Sequence, residues 1–216
     1  MIQEALSCGL APRDLLFTGE DGEAWERAGF RVTRVPESLL ETVCDTKTPQ
    51  GVCATFSAPR PLAFDDMPDR LVALDGVQDP GNCGTIWRTA DAAGFQAVLF
   101  GAGSADPLSS KVLRAAMGSA FRLPYHRSAP LSAALERLKA SGWCICVSDL
   151  RGTPFREASF PEKTVLVIGN EARGISDAVR ETASMLVKLP MRGGAESLNA
   201  AVAAGIMMYE LTKGER

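Results

Sequence analysis

The chain has 216 residues, 46% of them hydrophobic and 23% charged, and a formal net charge of −3. That length suits one large or two small domains with a sizeable core. The balance excludes a chain coated in positive charge, though a local basic patch could still hold a nucleic acid.

Along the chain, residues 15–17 and 30–35 read as short strands, with Val35 extended before Pro36 as the residue preceding a proline should be. Residues 22–28 and 37–43 read as helices and 51–56 as a further strand, which together make a small α/β unit over residues 1–57. The stretch Ser57-Ala58-Pro59-Arg60-Pro61, with Pro68 beyond it, is punctuated by prolines and marks a linker over 58–66. A second domain, 67–216, follows. Its strand candidates are 71–77, 97–100, 143–148, 164–168 and 185–189, and its helix candidates 83–93, 110–117, 131–141 and 197–212. Continuous apolar strands separated by helices predict a mostly parallel sheet covered on both faces. In the last helix, Leu198, Ala201, Val202, Gly205, Ile206, Met208 and Tyr209 follow helical periodicity with little side-chain bulk around them, which suits close core packing or a subunit contact.

No apolar run approaches the roughly 20 residues of a membrane-spanning helix. The opening MIQEALSCGLAPRD lacks the basic start and apolar stretch of a signal peptide. A cytoplasmic protein without membrane contact is expected. Six cysteines are scattered without a C-x-x-C pair. Cys144 and Cys146 share one face of a strand, a poor metal geometry, so reduced thiols and no metal are expected. The single histidine, His126, has no nucleophile beside it in sequence and reads as a surface or loop residue.

Three segments carry chemistry. In the first, a strand ends near Val77, Asp79-Pro80-Gly81 forms a turn, Asn82 takes a helix N-cap position, and Arg88 follows six residues later. A guanidinium there is suited to gripping phosphate. In the second, Gly169-Asn170-Glu171-Ala172-Arg173-Gly174 follows an apolar strand, where a buried carboxylate needs bonding partners. It matches neither the dinucleotide fingerprint nor a Walker loop, and both are absent from the chain. In the third, Leu189-Pro190-Met191 leads through Gly193 and Gly194 to Ser197-Leu198-Asn199, with Ser197 placed to cap the final helix. Its glycines allow backbone groups to reach a flat ligand.

These three segments, in this order, resemble the motifs of the SpoU-type (TrmH-like) RNA ribose methyltransferases of the SPOUT superfamily. The segment from Ser110 to Ala120 resembles a further family element. Residues 1–57, ending in Thr46-Lys47-Thr48-Pro49-Gln50-Gly51-Val52, resemble the family's L30e-like substrate-binding domain, shortened at its start. General topological rules exclude knotted chains, yet the resemblance implies a C-terminal trefoil knot holding S-adenosylmethionine, and a homodimer. It assigns Arg88, Asn82, Glu171, Ser197 and Asn199 to catalysis, and Gly169, Gly174, Leu189, Met191 and Leu198 to the cofactor. The implied reaction is methyl transfer to a ribose 2′-hydroxyl of structured RNA. The two-domain layout favours rRNA; tRNA, or a knotted binder of RNA and cofactor without methyl transfer, are the alternatives.

Overall fold

A computed structural model describes residues 1–19, 22–44 and 48–213; Thr46 and Lys47, part of the N-terminal family resemblance, lie outside the described residues. The chain divides into two compact units, Met1–Arg60 and Pro61–Arg216.

The first unit begins with α1 (Ile2–Ser7), which the sequence reading missed, followed by β1 (Pro12–Phe17), α2 (Glu23–Arg27), β2 (Arg31–Arg34), α3 (Glu37–Val43) and β3 (Val52–Phe56). Its sheet has the order β2-β1-β3, with β1 parallel to β2 and antiparallel to β3. Leu15, Phe17 and Phe30 form its small core, onto which Trp25 and Phe56 pack.

The second unit contains β4 (Arg70–Asp75), α4 (Pro80–Ala92), β5 (Ala97–Gly101), α5 (Ser110–Ala116), α6 (Ser119–Arg122), β6 (Tyr125–Ser128), α7 (Leu131–Ala140), β7 (Cys144–Pro154), β8 (Thr164–Gly169), α8 (Asp177–Glu181), β9 (Met185–Lys188) and α9 (Ala200–Leu211). The strand order is β6-β5-β4-β8-β7-β9, and every pair is parallel. Strand residues alternate between the two faces. Val72, Leu74, Val98, Phe100, Leu166 and Ile168 face one apolar layer, whereas Leu71, Ala73, Leu99, Val165 and Val167 face the other. With both faces buried, the strands read as unbroken apolar runs, as anticipated.

Trp87 is fully buried, donates from Nε1 to Leu123 O at 3.0 Å, and packs on the rings of Phe100 and Tyr125. Truncating a side chain so placed costs about 3–5 kcal/mol. A Cβ on Gly84 would lie 2.5 Å from both Ala115 Cβ and Val112 O, so α4 and α5 cross with their backbones almost touching. Thr89 meets Gly205 of α9 on another side of α4. The helix that carries Asn82 and Arg88 is thereby fixed from three directions.

His126 is not a loop residue. It lies on β6, half-buried, with Nδ1 2.7 Å from Leu62 O and its ring against Phe64. The Tyr-His-Arg-Ser composition of this edge strand hid it from an apolar-pattern reading. Cys146 is fully buried and Cys144 half-buried on one face of β7, and burial pushes both thiols up.

Candidate active site

The loops after β4 and β8 meet where the sheet reverses its winding. These strands are neighbours, but β4 leads to α4 in one helical layer while β8 leads to α8, which packs with α7 in the other. Open α/β sheets place ligands outside the carboxyl ends of strands at such a point.

Asn82 is not the N-cap of α4. Asp79 caps it, its carboxylate accepting from Asn82 N at 2.7 Å, with Pro80 at the first helical position. Proline is favoured there because its missing N–H is an orphan donor anyway. The correction matters chemically, because capping would spend the Oδ1 of Asn82 on its own helix, and that oxygen is the one that accepts from Asn199. The side chain of Asn82 instead donates from Nδ2 to Glu171 Oε1 at 2.9 Å and accepts from Asn199 Nδ2 at 2.9 Å. Three residues separated by 89 and 117 positions in sequence are thus joined by two hydrogen bonds.

Glu171 is exposed rather than buried, and it is fully engaged. It also accepts from the backbone N–H groups of Gln78, at 3.2 Å, and Asp79, at 3.3 Å. Partial desolvation pushes its carboxyl up, but the bonds from Asn82 and the backbone outweigh this and hold it below the usual carboxylate range. Glu171 is therefore a fixed anion near neutral pH. Beside it, burial pushes the Cys83 thiol up to about 12, and its Sγ–H donates to Val77 O. A thiol in that state is no nucleophile.

The loop after β8 is shaped by its own residues. Asn170, buried, donates from Nδ2 to Gly76 O at 2.7 Å and accepts from the N–H groups of Ala172 and Arg173. Its backbone pairs in both directions with Gly174, at 2.9 Å. Gly174 has φ +69°, which glycine adopts without strain. A Cβ on Gly169 would lie 2.5 Å from the Gly174 carbonyl carbon. Asp75, at the end of β4, accepts from Ser176 N at 2.7 Å and closes the loop. Asn170, Asp75 and Asp79 were missed as organisers of the site. The Asp-Pro pair was the available signal for Asp79, and a polar residue ending an apolar strand was the signal for Asn170.

The last helix begins at Ala200, not at Ser197. Asn199 is its N-cap and accepts from Ala201 N at 2.9 Å and Val202 N at 3.3 Å. Its Oδ1 caps while its Nδ2 holds Asn82, so one side chain ties the helix start to the network. Ser197 and Leu198 are exposed on the preceding loop, and Leu189 and Met191 are half-buried, with Leu189 packed on the core layer that contains α9. Arg88 lies on α4 six residues beyond Asn82, roughly 9 Å along the axis. It is exposed, and its side chain makes no hydrogen bond or ion pair among the described residues. Asn82, Glu171 and Asn199 are thus directly bonded, and Gly169 and Gly174 abut. Arg88 and Ser197 are bonded to none of them.

Two clefts of about 380 and 400 Å3 flank Phe160. The second includes Asp69 and Arg70, at the amino end of β4, and neither is lined by any of these residues. No cluster of three or more potential metal ligands occurs among the described residues, and no helix there is long and apolar enough to cross a membrane.

Residues 69–209 match the model of the SpoU rRNA Methylase family, and residues 2–62 match that of the RNA 2′-O ribose methyltransferase substrate binding domain. The chain is 36% identical to the 23S rRNA (guanosine(2553)-2′-O)-methyltransferase RlmP of Bacillus subtilis, over 98% of this chain and 85% of the relative. It is 34% identical to the 23S rRNA (guanosine-2′-O-)-methyltransferase RlmB of Ralstonia nicotianae, over 88% and 80% respectively. Among solved structures, it resembles an AdoMet-bound rRNA methyltransferase from Sinorhizobium meliloti with a TM-score of 0.86 and 32% identity, covering 97% of this chain and 83% of that one. The AdoMet complex of the SpoU methyltransferase AviRb from Streptomyces viridochromogenes gives 0.85 and 31%, over 98% and 86%.

Proposed function

The chain belongs to the SpoU rRNA methylase family, and from that premise we propose how its residues divide the work of methylating RNA. It is an S-adenosylmethionine-dependent methyltransferase acting on a ribose 2′-hydroxyl, with rRNA as substrate. The observation that carries the assignment of roles is the chain of side-chain hydrogen bonds from Asn199 through Asn82 to Glu171. It brings the three segments to one place at the carboxyl ends of the strands.

The loop from Met191 to Leu198 fits a flat, polar cofactor. None of its residues makes a hydrogen bond among the described residues, and a Cβ on Gly193 or Gly194 would meet nothing within 4 Å. Its backbone donors and acceptors are therefore unused, with open space beside them. Gly169, Gly174, Leu189, Met191 and Leu198 are the residues proposed to hold S-adenosylmethionine. When bound, that cofactor supplies a methyl group already activated on a sulfonium.

The protein's task is then alignment and control of one proton. Positioning alone supplies on the order of several kcal/mol. A guanidinium is a donor with no acceptor site, so Arg88 acts as a clamp rather than a base. It holds the phosphate of the target nucleotide, which lies close enough to the 2′-hydroxyl to take its proton, and it stabilises the developing oxyanion. Asn82 and Asn199 orient the ribose, Glu171 fixes Asn82, and Ser197 closes the site from the open loop.

The C-terminal segment is assigned the family's trefoil knot. In support, the chain leaves edge strand β9 and returns as α9 to pack on α4 and β8, across the sheet from where it left. A homodimer through α9 is supported by Val202, Ile206 and Tyr209, an exposed apolar row at helical spacing. Residues 1–57 are assigned RNA binding, as a shortened L30e-like domain joined through a linker at 58–66 to the methyltransferase domain 67–216. Their match to the substrate-binding model supports this. Location in the cytoplasm agrees with rRNA as substrate.

Incubation with tritiated S-adenosylmethionine and 23S rRNA transcribed in vitro tests the function. Label should enter the RNA with the wild type and not with Arg88→Ala. Equal labelling by both would remove Arg88 from the mechanism.

A further inference from the structure

In the second unit, Arg122, Arg127, Arg137, Arg151, Arg156 and Arg180 are each held in an ion pair. Arg70 and Arg114 also have partners. Among the described residues of that unit, the arginines that remain are Arg88, Arg173 and Arg192, and all three are exposed. They are not scattered. Arg88 is on the helix of Asn82, Arg173 is two residues after Glu171, and Arg192 is on the loop that ends at Asn199. Each of the three segments joined by the hydrogen-bond chain therefore carries one exposed guanidinium without an ion pair among the described residues.

A chain with a net charge of −3 has carboxylates to spare. It uses them on the other arginines, including two on the single Asp149, which Arg151 and then Arg180 hold well below the usual carboxylate range. Arg173 and Arg192 are also held differently at the backbone. The N–H of Arg173 is pinned by Asn170 Oδ1 at 2.9 Å, so its side chain starts from a fixed point, whereas Arg192 sits on the open loop. A planar fork with no internal partner, at the rim of a site for a polyanion, is suited to a phosphate.

We propose that Arg173 and Arg192 bind the RNA phosphates flanking the methylated nucleotide, so that with Arg88 three consecutive stretches of backbone are gripped around one ribose. This rests on the reading of the site as an RNA methyltransferase centre. Contacts of this kind set register without reading bases. They also release counterions, which gives them a signature that a structural role lacks: the dependence of affinity on salt.

The test uses the full chain and 23S rRNA transcribed in vitro, with binding measured across a salt series and methyl transfer measured in parallel. Arg173→Gln and Arg192→Gln should each raise the KM for RNA about tenfold. The double variant should lower the slope of log affinity against log salt by about 2. Arg173→Lys should restore the slope, since the charge returns, and Arg137→Gln, on α7, should leave it unaltered. If the wild type methylates the transcript while the double variant keeps both its KM and its salt slope, this inference alone is overturned. A wild type that transfers no methyl to RNA overturns the proposed function and this inference with it.

Discussion

The loops that follow β8 and β9 carry equally glycine-rich motifs but are built in opposite ways. Between Gly169 and Gly174 the turn is held by the protein's own hydrogen bonds. Asn170 bonds two N–H groups and a neighbouring carbonyl, the backbone closes on itself, and Gly169 has backbone where a Cβ would be. Between Met191 and Leu198, Gly193 and Gly194 face open space, no residue makes a hydrogen bond among the described residues, and order returns only at Asn199. Glycine in the first loop is required by the protein's own backbone. In the second no atom of the protein stands where a Cβ would be. One loop is a preformed wall that fixes Glu171, and the other is the open surface we propose for the cofactor.

The largest expected effect lies outside both loops and defines what they serve. Arg88→Ala should lower kcat about a thousandfold while S-adenosylmethionine binding, followed by titration calorimetry, stays as in the wild type. The contrast between the loops is tested next. Gly169→Ala should destabilise the fold by about 3 kcal/mol, seen in denaturant unfolding, because the new methyl meets backbone rather than a movable side chain. Gly193→Ala should change stability by no more than about 0.5 kcal/mol and should instead weaken S-adenosylmethionine binding. Equal losses of stability from the two substitutions would end the distinction.

Asn82→Ala should lower kcat about tenfold to a hundredfold, a milder loss than at Arg88, since it releases both Glu171 and Asn199 but removes no group that meets developing charge. The smallest effect concerns pH. Glu171 has its carboxyl held below its unfolded value, so its stabilising contribution is complete above the ordinary carboxylate range and is lost as pH falls through the lowered value. Asn82→Ala removes a bond that favours the anion. It should therefore move the acid limb of the pH–rate profile upward.

Much of this was legible because the relevant physics is local. The apolar runs of β4, β5 and β8 are buried on both faces, so pattern alone located them within one or two residues. The order of the three motifs identified the family. What escaped were features set by tertiary partners. The edge strand β6 is carried by Trp87, Phe100 and Tyr125 rather than by an apolar run of its own. Asn82 and Ser197 read as caps because either could be one; Asp79 and Asn199 took those positions, and that left Asn82 free to join the network. The difference between required and available glycines was invisible in sequence, where Gly169 and Gly193 are the same letter.

The most direct test of the central claim is the chemical identity of the product. After reaction of 23S rRNA transcript with S-adenosylmethionine and this protein, digestion to nucleosides and mass spectrometry should reveal a single nucleoside whose added methyl is on the ribose, absent when Arg88 is alanine. A methyl found on a base, or a ribose methyl formed equally well by the Arg88→Ala protein, would contradict the account.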